Sequence, residues 1–302
     1  MSKYVITGSI GNISKQIIIG LVAQNKNVVV ITSSENRVTE IEQLGANALV
    51  GSVLDSDFVN AAFENAALVY TMIPPVWDTT NMRETQRKIA GILAESISKN
   101  NVPYVVNLSS VGAHLSSGNG PIGGLYDLEQ LLNKIPGLSV KHLRPSSFFY
   151  NFLNQIPLIR TAGFMGANYG EGEKLLLVDT KDIAEAALEE ILNTDFKGNS
   201  VRYIISDERL GKEVADVLGK AIGNSLNWVV FTDEQQLQGL LGAGVPETHA
   251  KAFTEMGAGY ASEILQEDAR KTLPVFGKVK LDDFAKEFVK AFHNEKVDAT
   301  QV

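Results

Sequence analysis

The sequence predicts an α/β fold, a doubly wound parallel sheet with a smaller, mostly helical lobe. Three observations carry that prediction. Strand-like and helix-like segments alternate through the first two thirds of the chain, the pattern of right-handed βαβ units. The run Asn27–Thr32 (NVVVIT) is almost uninterrupted β-branched sequence, as a strand buried on both faces requires. A glycine-containing turn, Gly8–Ser14, joins the first strand-like run to the first helical pattern.

The elements follow in order. Tyr4–Thr7 reads as a strand, and Ile13, Ile17, Ile18, Leu21 and Val22 repeat at helical spacing after the turn. Behind Asn27–Thr32, Glu35–Leu44 reads as a helix closed by Gly45, a residue suited to a left-handed cap. Ala48–Gly51 is a third strand, Asp57–Ala62 a helix, and Leu68–Ile73 a fourth strand stopped by Pro74 and Pro75. Thr80–Asn100 carries Ile89, Ile92, Leu93 and Ile97 on one helical stripe. Val102–Leu108 is a fifth strand, Leu125–Asn133 a helix, and Ser139–Leu143 a sixth strand ended by Pro145. Asp182–Leu192 and Val201–Ile205 add a helix and a strand. Beyond residue 206 the pattern is helical, over Glu208–Ala221, Asp233–Leu241, Glu247–Leu265 and Leu281–Phe292. Asn151–Gly172, rich in Gly, Asn and aromatics, reads as loop. The expected organisation is therefore a main domain of residues 1–150 and 174–206 and a smaller substrate-side lobe of residues 151–173 and 207–302.

Bulk composition narrows the partners. The 302 residues are 44% hydrophobic and 21% charged, ordinary for a globular chain. A net charge of -8 without a basic run disfavours direct contact with nucleic acid or an anionic membrane. With no cysteine in the chain, disulfides, thiolate metal sites and a cysteine nucleophile are excluded. The N-terminus runs straight into a strand without a signal-peptide pattern, and no apolar stretch approaches the roughly 18 residues that span a bilayer. A cytoplasmic protein is the expectation.

The turn Gly8-Ser9-Ile10-Gly11-Asn12-Ile13-Ser14 carries the first chemistry. One glycine permits a tight bend, and the second lets backbone approach a diphosphate with no Cβ in the way. A helix starting near Gly11 would aim free N–H groups and its positive end at that anion. The end of the second strand bears on the choice of cofactor. A site for NAD(H) usually places Asp or Glu there for the ribose hydroxyls, whereas this chain has Thr32-Ser33-Ser34-Glu35-Asn36-Arg37. Small hydroxyl residues leave room for a 2′-phosphate, and Arg37 can bind it through charge-assisted hydrogen bonds. NADP(H) is therefore favoured over NAD(H). The alternative has Arg37 solvated and Glu35 on the ribose.

Further segments follow the strand ends: TMIPP, NLSSVGAH, YDLEQLL, KHLRPSSFFYNF, LLLVDTKDIAEAAL and KVKLDDFAKEFVKAF. Together with GSIGNIS and TSSENR they resemble, in order and over nearly the whole chain, the NmrA-like group of atypical short-chain dehydrogenase/reductases. That Rossmann-type group includes redox-sensing NADP-binding regulators and quinone reductases. The resemblance implies that Gly8, Ser9, Gly11, Asn12 and Ile13 surround the diphosphate, with Ser33 and Arg37 at the adenosine ribose or its phosphate. It places Leu54 and Asp55 by the adenine, and Met72, Ile73 and Pro74 along the cofactor. Asn107, Leu108 and Ser109 fall near the nicotinamide ribose, and Pro145, Ser146 and Phe148 close over the nicotinamide side. These positions lie at strand ends, where ligands of open α/β sheets bind.

Typical short-chain dehydrogenases pair a Ser with Tyr-x-x-x-Lys, the Lys lowering a tyrosine pKa of about 10. Here Ser109 and Ser110 follow the fifth strand, but the residue four after Tyr126 is Gln130. Lys134 lies about 12 Å further along a helix of about 1.5 Å rise per residue, beyond direct contact. Tyr126, Ser110 and His114 remain the candidate proton donors, against plain readings of Tyr126 as a packing residue and His114 as a solvated loop residue. Phe149 and Phe152, with Phe164 and Tyr169, offer either an apolar wall for an aromatic or quinone-like substrate or core packing. No His, Asp or Glu spacing suggests a metal. Two functions fit: an NADPH-dependent reductase delivering hydride to a quinone or similar conjugated carbonyl, or a non-catalytic NADP(H) sensor acting through a protein partner. A homodimer is compatible with either.

Overall fold

The computed structural model of the protein describes residues 2–77, 79–272 and 274–294. In chain order, β1 (Lys3–Ile6), α1 (Ser14–Ala23), β2 (Asn27–Thr32), α2 (Val38–Gln43), β3 (Asn47–Val50), α3 (Ser56–Phe63) and β4 (Ala66–Thr71) form the first half of a doubly wound sheet. They are followed by α4 (Met82–Lys99), β5 (Tyr104–Leu108), α5 (Gly123–Leu132) and β6 (Ser139–Pro145). Next come β7 (Ser147–Phe148), α6 (Ile156–Ala162), β8 (Met165–Ala167), β9 (Leu175–Val178), α7 (Thr180–Leu192) and β10 (Asn199–Ile204). The chain finishes with β11 (Asp207–Arg209), α8 (Gly211–Ile222), β12 (Trp228–Val230), α9 (Asp233–Gly242), α10 (Glu247–Ala261), α11 (Glu267–Lys271) and α12 (Leu281–His293).

Two compact units divide the chain: Met1–Ala113, Gly123–Arg144 and Ile183–Arg202 form one, and His114–Ile122, Pro145–Asp182 and Tyr203–Val302 the other. The large sheet has the order β10-β6-β5-β4-β1-β2-β3. Neighbours from β3 to β6 pair in parallel. Val140 and Ser146 donate to the carbonyls of Gly198 and Ile204 in turn, so β10 runs the same way. The strand order reverses between β1 and β4, and the crevice for a ligand in such a sheet opens at that switch point.

Alternation within the strands builds the first unit's core. Val5, Ile31, Val69, Val105 and Val140 point to one face and meet Val59, Phe63, Ile89, Leu93, Ile97, Leu128 and Leu132 from α3, α4 and α5. At full burial such side chains contribute about 1.5–3 kcal/mol each. Gly124 lets α5 come close to α4, since a Cβ there would sit 2.5 Å from Gln86 Cβ. Asp127 then accepts from both Arg83 and Arg87 of α4, so α5 is fixed against α4.

The second unit is helical with two small sheets, β11-β9-β7 and β12-β8. Asn151–Gly172, expected to be loop, holds most of a 3-10 turn (Phe149–Gln155), then α6 and β8. Phe152, Ile156 and Ile159 do recur at helical spacing, but over a short run broken by Pro157 and Gly163, and β8 exists through pairing with the distant β12. The helix expected from Glu208 begins at Gly211, because Asp207–Arg209 pairs with β9. The helix expected to reach Leu265 ends at Ala261. No helix among the described residues is long and apolar enough to cross a membrane.

Candidate dinucleotide site

The turn after β1 is built for close approach. A Cβ on Gly8 would stand 2.3 Å from Ser14 Oγ and 2.9 Å from Met72 Sδ, so the glycine lets the Ser14 and Met72 side chains close over the turn without having to shift. At Gly11 the nearest atom to such a Cβ is Gly8 O at 3.7 Å, which leaves the space above the backbone open to a ligand. Ser9 takes a left-handed conformation, φ 49°, costing about 1–2 kcal/mol in a residue with a side chain. Strain of this kind is retained where it shapes a site.

The helix starts at Ser14 rather than near Gly11, with Ile13 as its N-cap residue and no side-chain cap or acidic residue in its first turn. The Gly11 N–H donates to Gly8 O, and the next backbone donor engaged is Lys15, to Gly11 O. The N–H groups of Ile10, Asn12 and Ile13 therefore have no acceptor among the described residues. Unpaired donors beside a positive helix end fit an anion, and the open space at Gly11 fits its approach.

A cluster of hydroxyls continues the site toward β2. Ser9 Oγ donates to Thr32 Oγ1 at 3.1 Å, Thr32 Oγ1 accepts from Ser34 N at 3.2 Å, and Arg37 Nη1 donates to Ser9 Oγ at 3.3 Å. Arg37 and Ser33 are exposed. The guanidinium thus stands over the turn after β1. Further along this edge, Leu54 is exposed, and Asp55 caps α3 by accepting from Asp57 N and Phe58 N, both at 3.1 Å. Met72 N donates to Thr7 Oγ1 at 3.0 Å, which ties the ends of β1 and β4. Ile73 is buried and Pro74 half-buried beside them.

The ends of β5 and β6 carry two layers of buried polar side chains on the face toward α4 and α5. In the first, register partners join across three strands: Thr71 Oγ1 donates to Asn107 Oδ1 at 2.9 Å, and Asn107 Nδ2 lies 3.0 Å from His142 Nδ1. His142 Nε2 lies 2.9 Å from Asn133 Oδ1. The amide donor facing Nδ1 assigns a neutral ring protonated at Nε2. Burial, with Arg144 assisting and Glu129 opposing, pushes the His142 pKa down to about 4. One layer further along, Ser109 Oγ donates to Glu129 Oε1 at 2.5 Å, while Arg144 Nε and Nη2 grip Glu129 Oε1 and Oε2 at 3.0 and 2.5 Å. Leu108, between the two layers, is half-buried.

Asn107 is therefore committed at both ends of its amide. The residues overlooked by sequence reasoning are Thr71, His142, Glu129 and Arg144. A signal for them existed. Glu129 interrupts the apolar stripe Leu125, Leu128, Leu132, and Val140, His142 and Arg144 share one face of a strand.

The expected proton donors do not assemble into a relay. Ser110 and Tyr126 are half-buried, and neither hydroxyl has a hydrogen-bond partner among the described residues. Gln130 occupies the turn after Tyr126. His114 belongs to the other unit, where the charge of Glu267 reaches it.

In that second unit Pro145 and Ser146 are buried and Phe148 is half-buried, with Ser146 Oγ enclosed and unpartnered. Phe149 is fully buried and stacks on Phe284 of α12, centroids 5.6 Å apart. It is a core residue, which corrects its expected place in a substrate wall: no face of the ring is left open. Phe152 is likewise buried, edge-on to Trp228. Phe164 packs edge-on to Phe231 and is half-buried, and Tyr169 lies against Tyr260, centroids 5.3 Å apart. No group of three or more His, Asp or Glu among the described residues could hold a metal ion.

The sequence profile described as the NmrA-like family matches residues 1–273. The chain belongs to that family. An NAD(P)H azoreductase of Xenophilus azovorans is 25% identical over 256 residues, covering 84% of this chain and 85% of that protein. Among solved structures, a nucleoside-diphosphate-sugar epimerase of Staphylococcus aureus superposes with a TM-score of 0.78 at 13% identity, over 95% of this chain and 100% of the other. An NADPH-dependent quinone oxidoreductase of Escherichia coli, complexed with NADPH, gives 0.77 at 17% identity, over 94% and 99%. These likenesses establish that the NmrA-like chain has the fold shared by reductases and epimerases.

Proposed function

We propose that this NmrA-like protein is an NADPH-dependent oxidoreductase whose acceptor is a conjugated, electron-poor molecule such as a quinone or an azo compound. The observation that carries the reading is the turn after β1, with the Ile10, Asn12 and Ile13 N–H groups unpaired and Arg37 reaching Ser9. The azoreductase relative supports the acceptor class.

Bound NADPH supplies a hydride, two electrons delivered together. The residues of the chain bind and orient. The turn amides hold the diphosphate, Arg37 with Ser9 and Ser33 holds the 2′-phosphate, and Met72, Ile73 and Pro74 line the cofactor. The family resemblance assigns Pro145, Ser146 and Phe148 to the nicotinamide side, and the Ser146 hydroxyl has no partner among the described residues. A quinone or azo group accepts hydride without prior protonation of a carbonyl, so its proton comes from water or from Tyr126, Ser110 or His114.

NADPH absorbance followed against a panel of quinones and azo dyes tests the proposal. Turnover of roughly 1–10³ per second is the expected result. Tight NADPH binding with no oxidation by any acceptor would replace it with the sensor reading, which the missing ammonium beside Tyr126 favours. That sensor would report the cofactor's redox state to a protein partner.

A further inference from the structure

We infer that α9 is a conformational switch within the second unit. Beyond its first turn the helix lets go of α10 and unwinds as one piece, without the rest of the unit opening. The inference stands apart from the choice of cofactor or acceptor.

Four observations meet on this helix. First, none of its ten described residues is buried, and Leu237, Leu240 and Leu241 are only half covered. By contrast α8 buries Val214, Ala215 and Leu218, and α10 buries His249, Ala250, Thr254 and Tyr260. Helices in proteins are held mainly by burial of an apolar face, and α9 has little. Second, Gly239 lies inside the helix although a Cβ there would meet no described atom within 4 Å. Packing does not call for that glycine, and it lowers the weight of the closed helix about fivefold relative to alanine. Third, Gln236 Oε1 is enclosed without a partner among the described residues. Closing strands this acceptor, and opening returns it to water.

Fourth, the attachments gather at one end. Thr232 Oγ1 accepts from Gln235 N at 3.2 Å, and Gln235 Oε1 accepts from Thr232 N at 2.9 Å. Asn168 Nδ2 donates to Asp233 Oδ1 at 2.7 Å and to Thr254 O at 2.9 Å, while Phe231 N donates to Ala167 O at 2.8 Å. From Gln236 to Gly242 the hydrogen bonds among the described residues stay within the helix and the turn that follows it. Gly244, left-handed at φ 82°, is the joint before α10.

These features give a fixed root and a loose remainder. A helix this short does not persist in water once freed from its packing, so release and unwinding are one event. Segments with few buried contacts open at a fraction of the cost of the whole fold.

Amide hydrogen exchange on the full chain, corrected for intrinsic rates, tests the switch. The Leu237–Val245 amides should share one protection factor, at least about tenfold below those of Thr254–Tyr260 in α10. Gly239→Ala should raise all of them together by about fivefold, and Thr232→Ala, which removes the cap at the root, should lower them together by a similar factor. The α10 amides should not move in either variant. Gly91→Ala, the same change at a glycine of α4 with equally open space, should leave α9 exchange as it was. Protection equal to that of α10, or a response to Gly91→Ala as large as to Gly239→Ala, would overturn the inference, because α9 would then open only with the whole fold. Protection graded along the helix, with Thr232→Ala felt only in the first turn, would overturn it as well, by showing residue-by-residue fraying. Should a variant fail to fold, the wild-type profile still decides.

Discussion

The two flanks of the sheet's carboxyl edge solve opposite problems. On the β1–β2 flank the backbone is left unfinished: the N–H groups of Ile10, Asn12 and Ile13 lack acceptors among the described residues, Ser9 is held at positive φ, and Arg37 is exposed. On the β5–β6 flank nearly everything is finished. Thr71, Asn107, His142 and Asn133 satisfy one another, as do Ser109, Glu129 and Arg144. An unfinished surface waits for an anion to complete it. A finished, buried one holds its geometry before any ligand arrives. The first flank should therefore respond to mutation in affinity, and the second in stability.

The sharpest way to break that contrast is Glu129→Ala. It strands the Arg144 guanidinium in the core, and losing one partner of a buried pair costs about 3–5 kcal/mol. Urea denaturation should register a loss of that size. Replacing both residues with apolar ones, Glu129→Leu with Arg144→Met, should restore most of it. A small effect from the single change would show that water reaches the pair and that this flank is not closed.

A pH dependence follows from His142. Its folded pKa, about 4, lies below an unfolded value of about 6.5, so the fold favours the neutral ring. Stability is complete above about 6.5 and falls as pH drops, because the unfolded chain takes up the proton first. The loss ends near pH 4, where the folded state titrates too. Between pH 6.5 and 5 this amounts to about 2 kcal/mol. His142→Gln should flatten that slope when denaturation midpoints are compared across the interval, and an unchanged slope would place the acid sensitivity elsewhere.

On the unfinished flank, Arg37→Ala should weaken NADPH by about 2 kcal/mol, the scale of a charge-assisted hydrogen bond. NADH affinity and thermal stability should scarcely move. Equal losses for both cofactors would remove Arg37 from the 2′-phosphate.

The two flanks also differ in how readable they were. Strand–helix alternation and the Gly8–Ser14 turn are local signals, since glycine, β-branched runs and helical spacing report on residues close in sequence. They pointed to the parallel sheet of alternating strands and helices and to the turn after β1, but not to the strand order. The second flank arises from side chains distant in sequence but adjacent in register: Thr71 meets Asn107 and Asn107 meets His142 across separate strands. No local pattern reports that pairing, although a charge in the inner stripe of α5 hints at it. The small sheets of the second unit escaped for the same reason, β8 having no partner nearer than β12.

Asp55 offers the smallest and finest test, because it lies on the unfinished flank yet already has work within the fold. Its carboxylate caps α3 through Asp57 N and Phe58 N, while the family resemblance puts the residue beside the adenine. Removing a cap of this kind costs about 1 kcal/mol, so Asp55→Ala should lower stability by that amount and Asp55→Ser should recover most of it. If adenine meets only the backbone here, 2′,5′-ADP will bind both variants as it binds the wild-type chain. A loss of affinity that Ser cannot restore would show the carboxylate serving helix and ligand together, and the line between finished and unfinished surface would then run through a single side chain.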